Sequence, residues 1–288
     1  MAVSGGPDSL ALLLLAATAL PGRVGAATVD HRLRSESADE AAMVARLCAK
    51  MGVAHETLTV TVADGNVQLR AREARYAALG EWCARRRLAA LATGHQLDDQ
   101  AETLVMRLNR GSGLAGLAGV RARGTTPETD LIVLRPLLGW RRAELAQVVS
   151  AARLAAVQDP SNENERFDRV RVRKALGAAD WLDPAMIARS AMLLGEAEAY
   201  IAQRIDAAFA ERVTLAEGAA RMTPGQSDFE ATELATRILA YLGSPASRSE
   251  VATLVARLRG GRNASLGGVL ARIVGGEWVF APEPSRKS

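Results

Sequence analysis

Ser4-Gly5-Gly6-Pro7-Asp8-Ser9 stands between a short apolar triplet, Met1-Ala2-Val3, and an unbroken apolar run, Leu10 to Leu15. A β-rich triplet, a glycine turn and a segment opened by Pro7 predict a strand, a tight turn and a helix in direct succession. Gly5 and Gly6 let the backbone come close to an anion, and the N–H groups of the helix start, with the positive end of its dipole, point into the same space. The stretch reads as a phosphate cradle. It lacks the Lys that a Walker A loop aims at the β- and γ-phosphates. A bare turn into a core helix would need the glycines but neither of the two serines nor Asp8, so binding is the better reading.

From this unit to about Leu138, short β-rich runs alternate with helical ones, the pattern of a parallel sheet with crossover helices. Strands are expected at Met1 to Val3, Val24 to Val29, Glu56 to Val62, Leu88 to Thr93 and Leu131 to Leu134. A helix from Ser37 carries Glu40 as a capping box and ends at Gly52, and another runs from near Asp98 to Asn109. From about Ala178 strand signals fade, and Asp183-Pro184 opens a long helix with Ile187, Leu194, Ile201 and Ile205 on its apolar stripe. Two shorter helices follow, one with Leu234 and Ile238, one opened by Ser247 and Glu250. A hairpin, Val269 to Val274 and Trp278 to Ala281 around Gly275-Gly276, closes the chain. The expected fold is a doubly wound α/β nucleotide-binding domain over residues 1–177, then a mostly helical domain over 178–288 ending in the hairpin.

The second chemical signal is Thr93-Gly94-His95-Gln96-Leu97-Asp98-Asp99-Gln100-Ala101-Glu102-Thr103, again where a strand ends and a helix begins. Asp98 and Glu102 are i,i+4 neighbours with Asp99 beside them, so three carboxylates crowd a helix N-terminus, suited to a magnesium ion or a general base. Ordinary N-capping by Asp98 is the plainer alternative. Both signals, and a third at Val29-Asp30-His31, lie at carboxyl ends of expected strands, where open α/β sheets bind ligands. His55 has no partner in view and reads as structural or solvated. Further on, Asp159-Pro160-Ser161-Asn162 precedes Arg166, Arg169, Arg171, Arg173 and Lys174. On a helix Arg166, Arg169 and Arg173 would share one face, a stripe able to neutralise several phosphates.

Composition bounds the partners. The 288 residues are 49% hydrophobic and 24% charged, a soluble balance too long for one average core. A net charge of +4 permits an anionic partner without requiring one. Aromatic residues make up only 4%, which argues against gripping single strands through many stacked bases. Cys48 and Cys83 form no CxxC pair, so a zinc knuckle, an iron–sulfur site and a disulfide scaffold are disfavoured, and both read as buried inert thiols. Leu10 to Leu15 followed by the Ala/Gly-rich Ala16 to Ala27 imitates a signal peptide, but no basic residue precedes it, Asp8 interrupts its start, and the apolar run is far short of the roughly 20 residues of a span. A cytoplasmic location without membrane attachment is expected.

Ser4 to Ser9 resembles the pyrophosphate loop of the N-type ATP pyrophosphatases, the PP-loop superfamily. Within it, several motifs together resemble the bacterial tRNA(Ile)-lysidine synthetases: Val29-Asp30-His31 with Leu33-Arg34, Arg72-Glu73-Ala74-Arg75-Tyr76, Gly94-His95 through Thr103, Arg110-Gly111-Ser112-Gly113, Arg135-Pro136-Leu137-Leu138, and Asp159 to Asn162. They keep the family order over some three-fifths of the chain, whereas the C-terminal part is only loosely similar. The resemblance implies that ATP and Mg²⁺ are used to adenylate the C2 oxygen of the wobble cytidine in a CAU-anticodon isoleucine tRNA, after which free L-lysine displaces AMP to leave lysidine. It implies ATP binding by Ser4, Gly5, Gly6, Pro7, Asp8, Ser9, His31, Gly94, Arg110 and Gly111, and catalysis by Asp8, His95, Asp99 and Arg173. Asp8, Asp98, Asp99 and Glu102 are candidates for Mg²⁺, and Arg166, Arg169, Arg171 and Lys174 for tRNA. A homodimer is left open.

Two departures stand out. Gln96 occupies a position where many relatives repeat His, and the strand before the loop is only three residues long, so a start upstream of Met1 is expected. Rival readings are a tRNA thiolase or an amidating synthetase of the same superfamily, and a nucleotide sensor without catalysis.

Overall fold

A computed structural model describes residues 1–32, 37–61, 67–126, 130–157, 164 and 166–283. The chain divides into two compact units, Met1–Glu196 and Ala197–Ser288, a division that falls inside a long helix rather than at 177/178.

In the first unit, β1 (Gly25–Asp30) pairs in parallel with β2 (Ala54–Thr59), and β3 (Leu91–Ala92) pairs in parallel with β5 (Ile132–Leu134). The edge strand β4 (Arg123–Thr125) runs antiparallel to β5 and had no clear signal in the sequence. The extended segment 1–3 joins these groups. Val3 N–H donates to the Ala27 carbonyl at 2.9 Å, while Ala2 N–H donates to the Ala92 carbonyl at 2.9 Å on the other side. The spatial order is therefore β2, β1, segment 1–3, β3, β5, β4. The chain winds outward through β1 and β2 and then crosses to β3, so the order reverses between segment 1–3 and β3. Such a reversal opens a crevice at the carboxyl ends of the strands.

Helix α1 (Pro7–Ala19) follows segment 1–3 and is apolar all round, as a buried helix must be. Its Leu10, Leu12 and Leu13 are buried in a core with Val44 of α2 (Ser37–Lys50) and with Leu145 and Val149 of α6 (Arg142–Ala151). On the opposite face, α3 (Val67–Arg85) brings Tyr76, Leu79, Trp82 and Cys83 against Ala27, Leu91 and Val133. Cys48 and Cys83 are free and buried, as expected. Helices α4 (Leu97–Asn109), the short α5 (Leu114–Leu117) and α7 (Asp168–Ala178) complete this part before α8 (Pro184–Arg212).

The second unit holds the expected helices and hairpin, with more strands than the hairpin alone. Helices α9 (Asp228–Tyr241) and α10 (Arg248–Arg259) are present, but the C-terminal hairpin belongs to a five-stranded antiparallel sheet ordered β6-β7-β10-β9-β8. The hairpin strands are β9 (Val269–Val274) and β10 (Glu277–Pro282). The unforeseen ones are β6 (Val213–Ala216), β7 (Ala219–Met222) and β8 (Ala264–Leu266). They are short, and Ala219-Ala220-Arg221-Met222 carries helix-favouring residues whose preference is overridden by pairing with Phe280 and Trp278. Their core centres on Met222, Leu234, Ile238, Leu258 and Phe280, all buried.

Candidate active site

The loop expected to cradle phosphate lies at the crevice. Gly6 is the N-cap of α1 in an extended conformation without a side-chain cap, so the first-turn N–H groups stay open to a ligand. Ser9 fastens the turn: its Oγ donates to the Gly6 carbonyl at 2.9 Å and accepts from Ser4 N–H at 3.1 Å. Gly5 sits at φ +86°, and its carbonyl accepts from Val157 N–H at 2.9 Å. Gly94, entering from β3, comes so close that a Cβ there would lie 3.1 Å from the Asp8 carbonyl oxygen and 3.2 Å from Ser9 N. The two chemical signals of the sequence thus touch through backbone.

A cavity of about 710 Å³ opens over them. Ser4, Gly6, Pro7, Asp8 and Ser9 line one side, with Gly94, His95 and Asp99 next to them. His31, Arg72, Arg75 and Tyr76 form another wall, and Arg142, Arg169 and Arg173 a third. The Arg72 and Arg75 guanidiniums lie over the Tyr76 ring at 4.9 and 5.4 Å from its centre. Five arginines around one cavity suit a ligand of several negative charges.

Asp8 Oδ1 and His31 Nδ1 are buried atoms without a hydrogen-bond partner. Burial, and then the neighbouring Asp99 carboxylate, raise the Asp8 pKa to about 6. Burial also raises the Asp99 carboxyl against the opposing pull of Arg169. His95 is the reverse case: burial, with Arg135 and Arg169 adding to it, lowers its pKa to about 3. Its ring is therefore neutral near pH 7, with Nδ1 2.9 Å from Thr93 Oγ1.

The three carboxylates of α4 do not act as one group. The N-cap of α4 is Gln96, not Asp98; its side chain accepts from Asp98 N–H, and Asp99 Oδ2 in return accepts from Gln96 N–H at 3.1 Å. Asp98 turns away to Arg141 Nη2 at 3.1 Å and Arg142 N–H at 2.8 Å. Glu102, 1% exposed, accepts from Arg142 Nη2 at 2.9 Å, Arg169 Nε at 2.7 Å and Arg173 Nε at 2.8 Å. Burial alone would raise its pKa, but these hydrogen bonds hold it below the ordinary value. Among the described residues, no three His, Cys, Asp or Glu side chains are grouped to hold a metal. Of the four candidates for Mg²⁺, the orphaned oxygen of Asp8 is what fits a cation; Asp98, Asp99 and Glu102 are engaged by guanidiniums.

The arginine stripe also resolves differently. Helix α7 begins at Asp168, so Arg166 lies ahead of it, its N–H donating to Asn164 Oδ1 at 3.0 Å. Arg169 and Arg173, one turn apart, face α4 and the cavity, while Arg171 and Lys174 are exposed. Arg110 and Gly111 are not brought to the cavity. They follow α4 at its far end, some 17 Å from Asp99 at about 1.5 Å per residue, and Arg110 pairs with Asp168 at 3.0 Å. Leu33-Arg34 and Asp159 to Asn162 lie outside the described residues. Sequence reasoning missed Arg142, and it quoted Arg72 and Arg75 only as a motif; their i,i+3 spacing beside Tyr76 was the available signal.

The PP-loop domain family matches residues 1–179. A tRNA(Ile)-lysidine synthase of Novosphingobium aromaticivorans is 46% identical over 292 aligned residues, covering 100% of this chain and 90% of that protein. The chain belongs to the tRNA(Ile)-lysidine synthase family. A second relative of that name, from Zymomonas mobilis, is 41% identical over 100% of this chain and 89% of its own length. Among solved structures, a U34-tRNA thiolase from Methanococcus maripaludis superposes with a TM-score of 0.58 at 19% identity, covering 68% of this chain and 70% of that one, a likeness of fold. No described helix is long and apolar enough to cross a membrane.

Proposed function

We propose that this protein joins lysine to C2 of the wobble cytidine of CAU-anticodon isoleucine tRNA at the expense of ATP, forming lysidine through an adenylated cytidine. The observation that carries the reading is the meeting, in one cavity at the strand-order reversal, of the Ser4 to Ser9 cradle, five arginines and three acid–base groups, Asp8, His95 and Asp99. Full-length likeness to proteins named tRNA(Ile)-lysidine synthase supports it.

In the first step the cytidine C2 oxygen attacks the α-phosphorus, the new P–O bond forms, and the bond to the β-phosphate oxygen breaks to release pyrophosphate. The open N–H groups of α1 and the guanidiniums of Arg142 and Arg173 face the phosphates and stabilise the charge gathered on the leaving group. Neutral His95 approaches the reacting phosphate without adding charge. Bound Mg²⁺ would neutralise phosphate charge, and Asp8, through its unpartnered oxygen, would hold it. In the second step the side-chain amine of lysine attacks C2, the C2–O bond breaks, and AMP leaves. The amine must shed protons to attack and to finish as a neutral substituent, and Asp99, whose carboxyl pKa burial raises, is the acceptor at hand.

The second unit, with α9, α10 and its five-stranded sheet, is proposed to bind the tRNA, together with Arg166, Arg169, Arg171 and Lys174. The protein is proposed to work in the cytoplasm. Labelled lysine, ATP and Mg²⁺ supplied with CAU-anticodon isoleucine tRNA test the function. Labelling of that tRNA, and not of the methionine tRNA sharing the anticodon, is expected; pyrophosphate release without labelling would overturn the acceptor, and silence in both would overturn the function.

A further inference from the structure

The chain has four tryptophans, and they divide sharply. Trp82 and Trp278 are each 3% exposed inside cores, whereas Trp140 is 38% and Trp181 79% exposed. The two exposed rings are far apart in sequence but are tied to the same place. The Trp140 carbonyl accepts from Leu97 N–H at 2.9 Å, which holds its loop at the start of α4 beside Asp98 and Asp99. Arg141, next to Trp140, reaches Asp98 at 3.1 Å with one terminal nitrogen and Asp183 at 3.9 Å with the other. Asp183 is two residues from Trp181. Arg141 thus clasps the loop before α6 to the loop between α7 and α8, and each loop carries one exposed indole. Arg142 and Asp99, immediate neighbours of this clasp, line the cavity.

We propose that Trp140, Trp181 and the Arg141 guanidinium form a stacking platform at the cavity rim for unpaired bases of an RNA loop. The inference rests on the proposed function and names how the substrate loop would be held. A base that reacts inside a cavity must leave its stack, and its neighbours lose a stacking partner as it goes. Indole faces replace that loss with little dependence on base identity, and the planar Arg141 guanidinium, hydrogen-bonded to Asp98 and part-exposed, offers a third surface. Exposing an indole to water is otherwise unfavourable, and neither ring takes part in a core. Asp98 and Asp183 balance Arg141, but the five arginines of the adjoining cavity give this face an excess of cations that suits RNA better than an apolar protein face.

The test uses the whole chain with labelled CAU-anticodon isoleucine tRNA, and with the same tRNA whose anticodon loop is closed by a short unrelated loop. Binding is measured at one fixed salt concentration for wild type, Trp140→Ala, Trp181→Ala and Trp181→Phe. Each alanine variant is expected to weaken binding of the intact tRNA by about 5- to 150-fold, the range for losing one stacked base. Trp181→Phe should recover most of the loss, the loop-closed tRNA should bind all four proteins alike, and ATP binding should not change. Wild-type affinity in both alanine variants would overturn the platform, as would equal losses on the two tRNAs. So would a change of oligomeric state on sedimentation with RNA binding intact, which would make the patch a protein contact. If wild type itself neither binds this tRNA nor attaches lysine to it, the proposed function falls; if wild type does both and the variants match it, only the platform falls.

Discussion

Arg169 on α7 donates from Nη2 to Asp99 Oδ1 on α4 at 2.9 Å, and Arg173 one turn later reaches Glu102. Since Asp99 Oδ2 is already held by Gln96 N–H, an incoming ammonium group must compete with a guanidinium for this carboxylate. The same contacts fix α7 against α4, with Glu102 as the shared anchor.

Glu102→Gln should therefore cost stability as well as activity. Removing one partner from a buried ionic cluster costs about 3–5 kcal/mol when fully desolvated, and the guanidiniums here are 30–40% exposed, so roughly 2–3 kcal/mol is expected. The urea midpoint measures this, and a loss under about 0.5 kcal/mol, the usual scale of surface substitutions, would show a merely solvated cluster.

His95 gives a pH signature. Its folded pKa, about 3, lies below the unfolded value, so the unfolded chain binds the extra proton first and stability is lost as pH falls below about 6.5. The slope from this residue is about 1.4 kcal/mol per pH unit. His95→Gln should flatten it in denaturation curves between pH 6.5 and 4.5 while lowering turnover at pH 7.5 by orders of magnitude; an unchanged slope would mean that the ring ionises freely in the fold.

Asp8 gives the opposite sign. Its folded pKa of about 6 exceeds the unfolded value, so the ligand-free protein loses stability as pH rises from about 4 through 6. Asp8→Asn should stabilise the ligand-free chain at pH 7.5 by on the order of 1–2 kcal/mol and abolish pyrophosphate release. A destabilised variant would contradict the cost of burying this carboxylate beside Asp99.

His55, read from sequence as lacking a partner, has one. Its Nε2 is 2.9 Å from Thr28 Oγ1, and that hydroxyl donates to the Val3 carbonyl at 2.8 Å, one residue before the cradle. With its proton given to Val3, the hydroxyl must accept from the ring. His55→Ala is expected to raise the KM for ATP several-fold with kcat little changed, and Thr28→Val to do the same; an altered kcat alone would place the effect elsewhere.

The sequence disclosed what depends on local pattern. Gly5-Gly6-Pro7 announced a strand, turn and helix because those residues have few other uses, and Asp98 to Asn109 had a clean helical period. The middle of the sheet was legible at Met1 to Val3 although it is only three residues long. What stayed hidden depends on distant pairing. β4, β6, β7 and β8 gain their conformation from neighbours, and the arginines divide between cavity, carboxylates and solvent according to where α7 starts, which Phe167 and Asp168 decide. The carboxylates of Asp98, Asp99 and Glu102 looked alike in the sequence, and only the approach of Arg141, Arg142, Arg169 and Arg173 gives them separate work.

Segment 1–3 also sets an order of events during synthesis. Ala2 bonds to Ala92, so the central seam of the sheet waits until some 90 further residues have left the ribosome, about 5–18 s at 5–20 residues per second. Through that interval the apolar first helix has neither β3 nor α6 to cover it. A nascent chain stalled before Leu91 should therefore be held by chaperones, and one stalled beyond Ala151 should release them.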